Sequence, residues 1–187
     1  DGNDTLTGGG GPDGLVGGEG DDILEGRDSD DALYDIAGNN TMRGGAGDDI
    51  LVAGDVAGPY QFTHVASHQA WHASLNALLA PWWSFKVDYR VIPWATFTDP
   101  EVARVGLSED EAKAQDIAVE VTRYGLDDLD RAIADSADHG FVKVLTPPGK
   151  DTILGATIVG AHAGELLAEF VLAMKHGLGL NKILGTI

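Results

Sequence analysis

The sequence predicts two architectures joined end to end: a stack of short parallel strands over residues 1–52, and an α+β domain built on an antiparallel sheet over residues 91–187. Three observations predict them. A nine-residue period runs without a slip through the first 52 residues and then stops. Composition changes at the same place: residues 1–58 hold 14 acidic and 2 basic side chains and 16 glycines, whereas the remaining 129 hold 16, 10 and 10. Later in the chain, two apolar runs flank Pro147-Pro148-Gly149-Lys150, a connection too short for anything but antiparallel pairing.

Written in nines, the first part reads DGNDTLT, GGGGPDGLV, GGEGDDILE, GRDSDDALY, DIAGNNTMR and GGAGDDILV, the first unit lacking two positions. Position six is Asp4, Asp13, Asp22, Asp31, Asn40 and Asp49, and position eight is Leu6, Leu15, Leu24, Leu33, Met42 and Leu51. Glycines at positions one, two and four permit turn geometries closed to other residues and let backbone carbonyls come close to an ion. Aspartate supplies one hard anionic oxygen, and a calcium ion needs roughly six to eight, so ligands must be pooled between successive turns. The apolar side chain at position eight points inward, and only stacking can bury it.

This pattern resembles the RTX nonapeptide repeat, which implies a parallel β-roll with turns alternating between its two sides. Asp4, Asp22 and Asn40 would line one side and Asp13, Asp31 and Asp49 the other. The metal ligands expected from the repeat are therefore Asp4, Asp13, Asp22, Asp31 and Asp49, with calcium as the ion. Units four and five depart from the pattern at Arg27, Ser29, Asp35, Ile36 and Asn40, and the ion row is expected to weaken there. Without calcium the crowded charge should keep this part unfolded.

From Tyr60 onward the patterning is that of an ordinary globular domain. Residues 63–79 carry apolar groups at helical spacing, stopped by Pro81. Residues 91–98 read as a strand closed by Asp99-Pro100, and Ser108 with Glu111 forms a capping box that opens a helix to about Gln115. A strand follows over 117–124, a short helix or turn over 127–134, strands over 141–145 and 153–161, and a helix over 164–176 ended by Gly177.

The stretch VIPWATFTDPEVARVGL, residues 91–107, is similar to the opening of the dimerisation domain of the FAD-dependent pyridine nucleotide-disulfide oxidoreductases, the family of mercuric reductase and dihydrolipoamide dehydrogenase. ILGATIVGAHAGE (153–165) and the helix after it agree. The resemblance implies a homodimer through residues 91–187. It also reaches back to ILVAGDV (50–56), where it places Gly54 and Asp55 at the flavin and makes residues 53–90 a junction with a helical remnant of the FAD domain. Residues 50–52 thus serve two patterns. The chain carries no glycine-rich dinucleotide fingerprint and no cysteine, and the family's closing histidine, proline and glutamate would fall after residue 187. FAD therefore belongs to the full-length enzyme only, and the segment is not expected to turn over alone.

The overall charge of −18 makes nucleic acid and membranes poor partners and divalent cations good ones. Residues 153–174, the longest apolar stretch, are broken by His162, Glu165 and Glu169, and no leader pattern opens the chain. Lack of cysteine leaves the redox compartment open, and the two resemblances disagree about it: calcium repeats suit an extracellular setting, nicotinamide reductases a cytoplasmic one. His64, His68 and His72 share one helix face, His162 and Glu165 form an H-x-x-E, and Asp127, Asp128 and Asp130 cluster. A helix beside a flavin domain, a carboxylate at a helix start and a solvated helix start explain these three. Two functions follow: a fragment of a flavin-dependent disulfide oxidoreductase that supplies the dimer interface, or a secreted calcium-binding module with a folded passenger.

Overall fold

The computed structural model describes residues 2–35, 40–54, 60–79, 82–83 and 85–186. It divides into two units, Asp1–Tyr89 and Arg90–Ile187.

The first unit opens with six short strands, one per nonapeptide: β1 Thr5–Thr7, β2 Gly14–Val16, β3 Ile23–Asp28, β4 Ala32–Tyr34, β5 Thr41–Ala46 and β6 Ile50–Leu51. Odd strands pair in one parallel sheet, β1-β3-β5, and even strands in another, β2-β4-β6. Each residue therefore pairs with the one eighteen positions on, Leu6 with Leu24 and Leu24 with Met42 in one sheet, Leu15 with Leu33 and Leu33 with Leu51 in the other. Two nonapeptides thus make one full coil. The position-eight side chains of the middle turns, Leu24 and Leu33, are fully buried, while those of the outer turns are half-buried. A core one side chain wide per turn is sealed only where it has neighbours above and below.

Helix α1, Thr63–Leu79, belongs to the same unit, at the boundaries its apolar spacing predicts. Its buried face is Val65, Gln69, His72 and Asn76, so three of the four residues turned inward are polar. Each of those three needs a partner, since an unpaired buried polar group costs about 1–3 kcal/mol.

The second unit runs through a 3₁₀ turn and ten further elements: β7 Pro93–Thr96, β8 Glu101–Gly106, α2 Glu109–Ala114, β9 Glu120–Gly125, a second 3₁₀ turn, α3 Asp130–Ala134, β10 Phe141–Thr146, β11 Gly155–Gly160, α4 Ala163–Lys175 and α5 Leu180–Leu184. The five strands form one sheet in the order β7-β8-β11-β10-β9, antiparallel throughout. Helix α4 lays Ala163 and Leu167 onto Ala103, Val105, Ala156 and Ile158, and Phe170 and Met174 extend this core to Val144, Ile153 and Ala173. This is the mixed α and β arrangement with an antiparallel sheet that the short Pro147–Lys150 connection predicts; the Lys150 amide closes that turn on the Pro147 carbonyl at 3.1 Å.

Three elements differ from the expected ones. The strand predicted over 91–98 begins at Pro93, after a 3₁₀ turn at Tyr89–Val91, and Pro100 is the corner of a hairpin into β8, a strand the pattern did not predict. Only Ala103 and Val105 of β8 are buried, and alanine is too small to mark an apolar phase. The strand predicted from Ile117 starts at Glu120 and is exposed on nearly every residue; its apolar alternation belongs to an edge strand and not to a buried face. Helix α5 was hidden because five residues after Gly179 are too few to show a period.

Candidate functional site

The position-six side chains build a ladder along the stack. Asp22 Oδ1 accepts the Asp4 amide at 2.7 Å, and Asn40 Oδ1 accepts the Asp22 amide at 2.8 Å. On the other row Asp31 Oδ1 accepts from Asp13 at 2.8 Å and Asp49 Oδ1 from Asp31 at 3.0 Å. Every rung spans eighteen residues. The structure thus brings Asp4 and Asp22 together on one row and Asp13, Asp31 and Asp49 on the other. Asn40 keeps the rung, because an amide oxygen accepts as a carboxylate does, and gives up only the second anionic oxygen.

That second oxygen faces the glycine at position one. A Cβ on Gly26 would collide with Asp31 Oδ2 and with the Gly44 carbonyl, and one on Gly8 with the Gly26 carbonyl and Asp13 Oδ2. Only glycine leaves this space, where a carboxylate oxygen and the carbonyl of the next coil converge. Asp22 and Asp31 are 0% and 2% exposed, and their Oδ2 atoms are buried without a hydrogen-bond partner. A buried anionic oxygen without a donor is strongly unfavourable, and hard carboxylate and carbonyl oxygens are the donor type that calcium takes. Asp13 differs, its Oδ2 accepting the Gly9 amide at 2.5 Å. Among the described residues no three His, Cys, Asp or Glu side chains converge on one point, so an ion here would draw on no more than two side-chain carboxylates and would need backbone carbonyls beside them.

Beyond the last repeat, the polar face of α1 finds its partners. Gln69 Oε1 accepts the buried Gly54 amide at 2.7 Å, and Gln69 Nε2 donates to the Tyr89 hydroxyl at 2.6 Å. Burial pushes the Tyr89 phenol above its usual pKa; the Gln69 hydrogen bond opposes this, and the nearby Asp35 carboxylate adds to it. Asn76 clamps Phe85, donating to its carbonyl at 2.9 Å and accepting its amide at 2.8 Å. His72 Nδ1 lies 2.9 Å from the His68 carbonyl, and the two rings meet edge to face with centroids 4.3 Å apart. His64 stacks on Phe62. The three histidines therefore share a helix face without gathering around one point. Gly54 takes a φ of +89°, where glycine is favoured, and its amide is already engaged by Gln69. Asp55, the other expected flavin contact, lies outside the described residues.

In the second unit, His162 stands in the left-handed region (φ 59°) before α4, with Nδ1 3.1 Å from Glu165 Oε2, and both side chains are largely exposed. Glu165 lies in the first turn of α4, where the dipole favours its charge. Asp127, Asp128 and Asp130 are exposed, and Tyr124 donates to Asp128. Gln69, Asn76 and Tyr89 were not anticipated. Polar residues at helical core spacing were the available signal. Asp35, 3% exposed, was also missed as a site residue.

One antiparallel sheet covered by a long helix makes the second unit an α+β domain with a layered core. Residues 92–187 match the model of the pyridine nucleotide-disulphide oxidoreductase dimerisation domain, and the chain belongs to that family. Residues 1–33 and 25–56 match the RTX calcium-binding nonapeptide repeat. Dihydrolipoyl dehydrogenase of Chlamydia muridarum is 38% identical over 134 residues, 72% of this chain and 28% of that protein. Mycothione reductase of Mycobacterium tuberculosis is 40% identical over 131 residues, 67% of this chain and 28% of that one. Among solved structures, LpdA of Mycobacterium tuberculosis superposes with a TM-score of 0.64 at 26% identity, over 74% of this chain and 30% of that chain. The flavoprotein disulfide reductase RclA of Escherichia coli shares the fold, with a TM-score of 0.62. The chain spans less than a third of the length of these relatives.

Proposed function

We propose that this chain is a portion of a flavin-dependent NAD(P)-disulfide oxidoreductase that supplies the homodimer interface through residues 91–187, fused to a calcium-binding β-roll over residues 1–52. Residues 53–90 form the junction. The family match over 92–187 carries the first half of this reading. Exposed apolar side chains support it: Leu166 and Leu172 on the outer face of α4, Leu184 on α5, and Phe97, which is 84% exposed. Side chains of this size left on a surface mark a place where another surface sits. Sedimentation of the chain should give a dimer that a charged substitution at Leu172 dissociates. A strict monomer at high protein concentration would remove the interface from the proposal.

The unpartnered Oδ2 atoms of Asp22 and Asp31 support calcium in the stack, together with glycine-shaped gaps that bring carboxylate and carbonyl oxygens together. Asp4, Asp13, Asp22, Asp31 and Asp49 are the side-chain ligands in this reading. Asp31→Asn retains the rung to Asp13 and removes one anionic oxygen, so calcorimetric titration with calcium should show weaker binding while the ladder persists. Equal binding by wild type and Asp31→Asn would refute the assignment.

The described residues of the chain do not fit FAD. Gly54 spends its amide on Gln69, and the parallel strands are joined by turns and not by the crossover helix of a dinucleotide-binding unit. Flavin and nicotinamide chemistry belong, in this proposal, to the remainder of the full-length enzyme.

A further inference from the structure

We propose that Asp35 and Asp22 form a two-carboxylate calcium site around Gly17, distinct from the glycine-carbonyl cradles of the repeat. The inference rests on the reading that the stack binds calcium. In the regular arrangement, the cradle at Gly8 joins Asp13 Oδ2 to the Gly26 carbonyl, and the cradle at Gly26 joins Asp31 Oδ2 to the Gly44 carbonyl. Each has one carboxylate, from position six of the same unit, and one carbonyl, from position one of the unit two places on.

On the other row that incoming residue is Asp35, which stands where the repeat has glycine. A Cβ on Gly17 would lie 2.5 Å from Asp22 Oδ2 and would also collide with Asp35 Oδ2. The Asp35 side chain thus occupies the place that a glycine carbonyl takes on the opposite row. Asp22 is wholly buried; its Oδ1 is held by the Asp4 amide, and its Oδ2, aimed into this gap, has no partner. Among the described residues no lysine or arginine forms an ion pair with Asp22.

Unit five departs from the repeat at Asp35, Ile36 and Asn40, and the two departures that change charge, Asp35 and Asn40, compensate. Asn40 holds its rung of the ladder but lacks the charge of position six, while Asp35 returns a charge to the same row one cradle earlier. Two carboxylate oxygens facing one buried point repel each other unless a cation lies between them. Calcium affinity rises with the number of charged ligands. The Gly17 site should therefore be the tightest in the stack, at the place where the repeat pattern looks most damaged.

Isothermal titration of the full chain with calcium chloride tests this, alongside Asp35→Asn, Asp31→Asn and the double variant Asp35→Gly/Asn40→Asp, which restores positions one and six of the repeat. Asp35→Asn should remove the tightest class of site or weaken it by about tenfold or more, and Asp31→Asn should affect only a weaker class. The double variant should bind with the affinity of an ordinary cradle, and its calcium-loaded circular dichroism should match wild type, separating ligand loss from misfolding. Loss of the tight class in Asp35→Asn but not in Asp31→Asn establishes the site. A wild-type isotherm for Asp35→Asn, with weakened binding in Asp31→Asn, would overturn it and leave calcium binding by the stack intact. Absence of calcium binding by the wild-type chain would overturn both.

Discussion

In residues 2–54 each nine-residue turn sends one apolar side chain inward, and only Leu24 and Leu33 are sealed off completely; the same interior region buries Asp22, Asp31 and Asp35. In residues 90–186 a thirteen-residue helix covers a five-stranded sheet, and most of what it buries is apolar: Ala103, Val105, Ile158 and Leu167 among others. Both units are built from strands of at most six residues. What differs is where the stabilising free energy originates. The sheet domain carries its own, from apolar area removed from water. The stack buries the Oδ2 atoms of Asp22 and Asp31 without a hydrogen-bond donor, so under the calcium proposal its folded state draws on a bound ion as well as on its own contacts.

The largest expected effect separates the units directly. A chelator should abolish the strand signal of the stack and leave the sheet domain folded, and millimolar calcium should restore two thermal transitions. Each ion adds about 2.7 kcal/mol when free calcium exceeds its dissociation constant a hundredfold. Calorimetry in chelator and in calcium checks this, and two identical traces would erase the proposed difference between the units.

Core truncation should come next, at about 2–5 kcal/mol for a buried Leu→Ala. Leu33→Ala should lower only the calcium-dependent transition, and added calcium should recover part of the loss. Leu167→Ala removes the main contact of α4 with β8 and β11, and should lower only the other transition, with no recovery. Recovery of Leu167→Ala by calcium would mean that the units do not unfold independently.

The contrast also governs how much could be read from the sequence. The stack was legible because its period is rigid: one repeat fixes the phase of the next, so the spacing marks the position-six and position-eight side chains, and the resemblance to the RTX repeat adds the two alternating rows. Legibility failed where the repeat was broken, since a period assigns no role to Asp35 except that of a defect. In the sheet domain the reverse holds. Helix α4 and the capping box at Ser108 were visible locally, but β8 was not, because its core contacts depend on Ala103 meeting α4 across the sheet. Gln69 could not be assigned, because its partners, the Gly54 amide and the Tyr89 hydroxyl, are fifteen and twenty residues away.

Smaller effects should be confined to the sheet domain. Ser108 Oγ accepts the Glu111 amide at 3.1 Å, and Glu111 Oε2 accepts the Ser108 amide at 2.8 Å. Ser108→Ala should cost about 1 kcal/mol in the calcium-independent transition and nothing in the other. A shift of the calcium-dependent midpoint would show that α2 supports the stack as well.

The smallest effect is a pH dependence at the other end of the same capping box. Arg104 donates to Glu111 Oε2 and lies over the Trp94 ring, 4.8 Å from its centroid. Chiefly through the Arg104 hydrogen bond, with the Ser108 amide assisting and partial burial opposing, the Glu111 carboxyl is lowered from 4.5 to about 2. The folded state therefore holds the proton less tightly than the unfolded one. The stabilisation is fully present above about pH 4.5 and is lost as pH falls towards 2. Glu111 is 44% exposed, so solvent screening limits the whole contribution to about 1 kcal/mol or less. Acid would also protonate the aspartates of the stack and release its ions, which is why the measurement belongs in chelator, where only the sheet domain contributes a transition. There the stability of wild type and Glu111→Gln should converge between pH 4.5 and 2, with the difference flat from pH 5 to 7. A gap that stays constant through the acid range would show that Glu111 stabilises the domain by hydrogen bonding that the neutral glutamine reproduces or loses equally at every pH, and not by its charge.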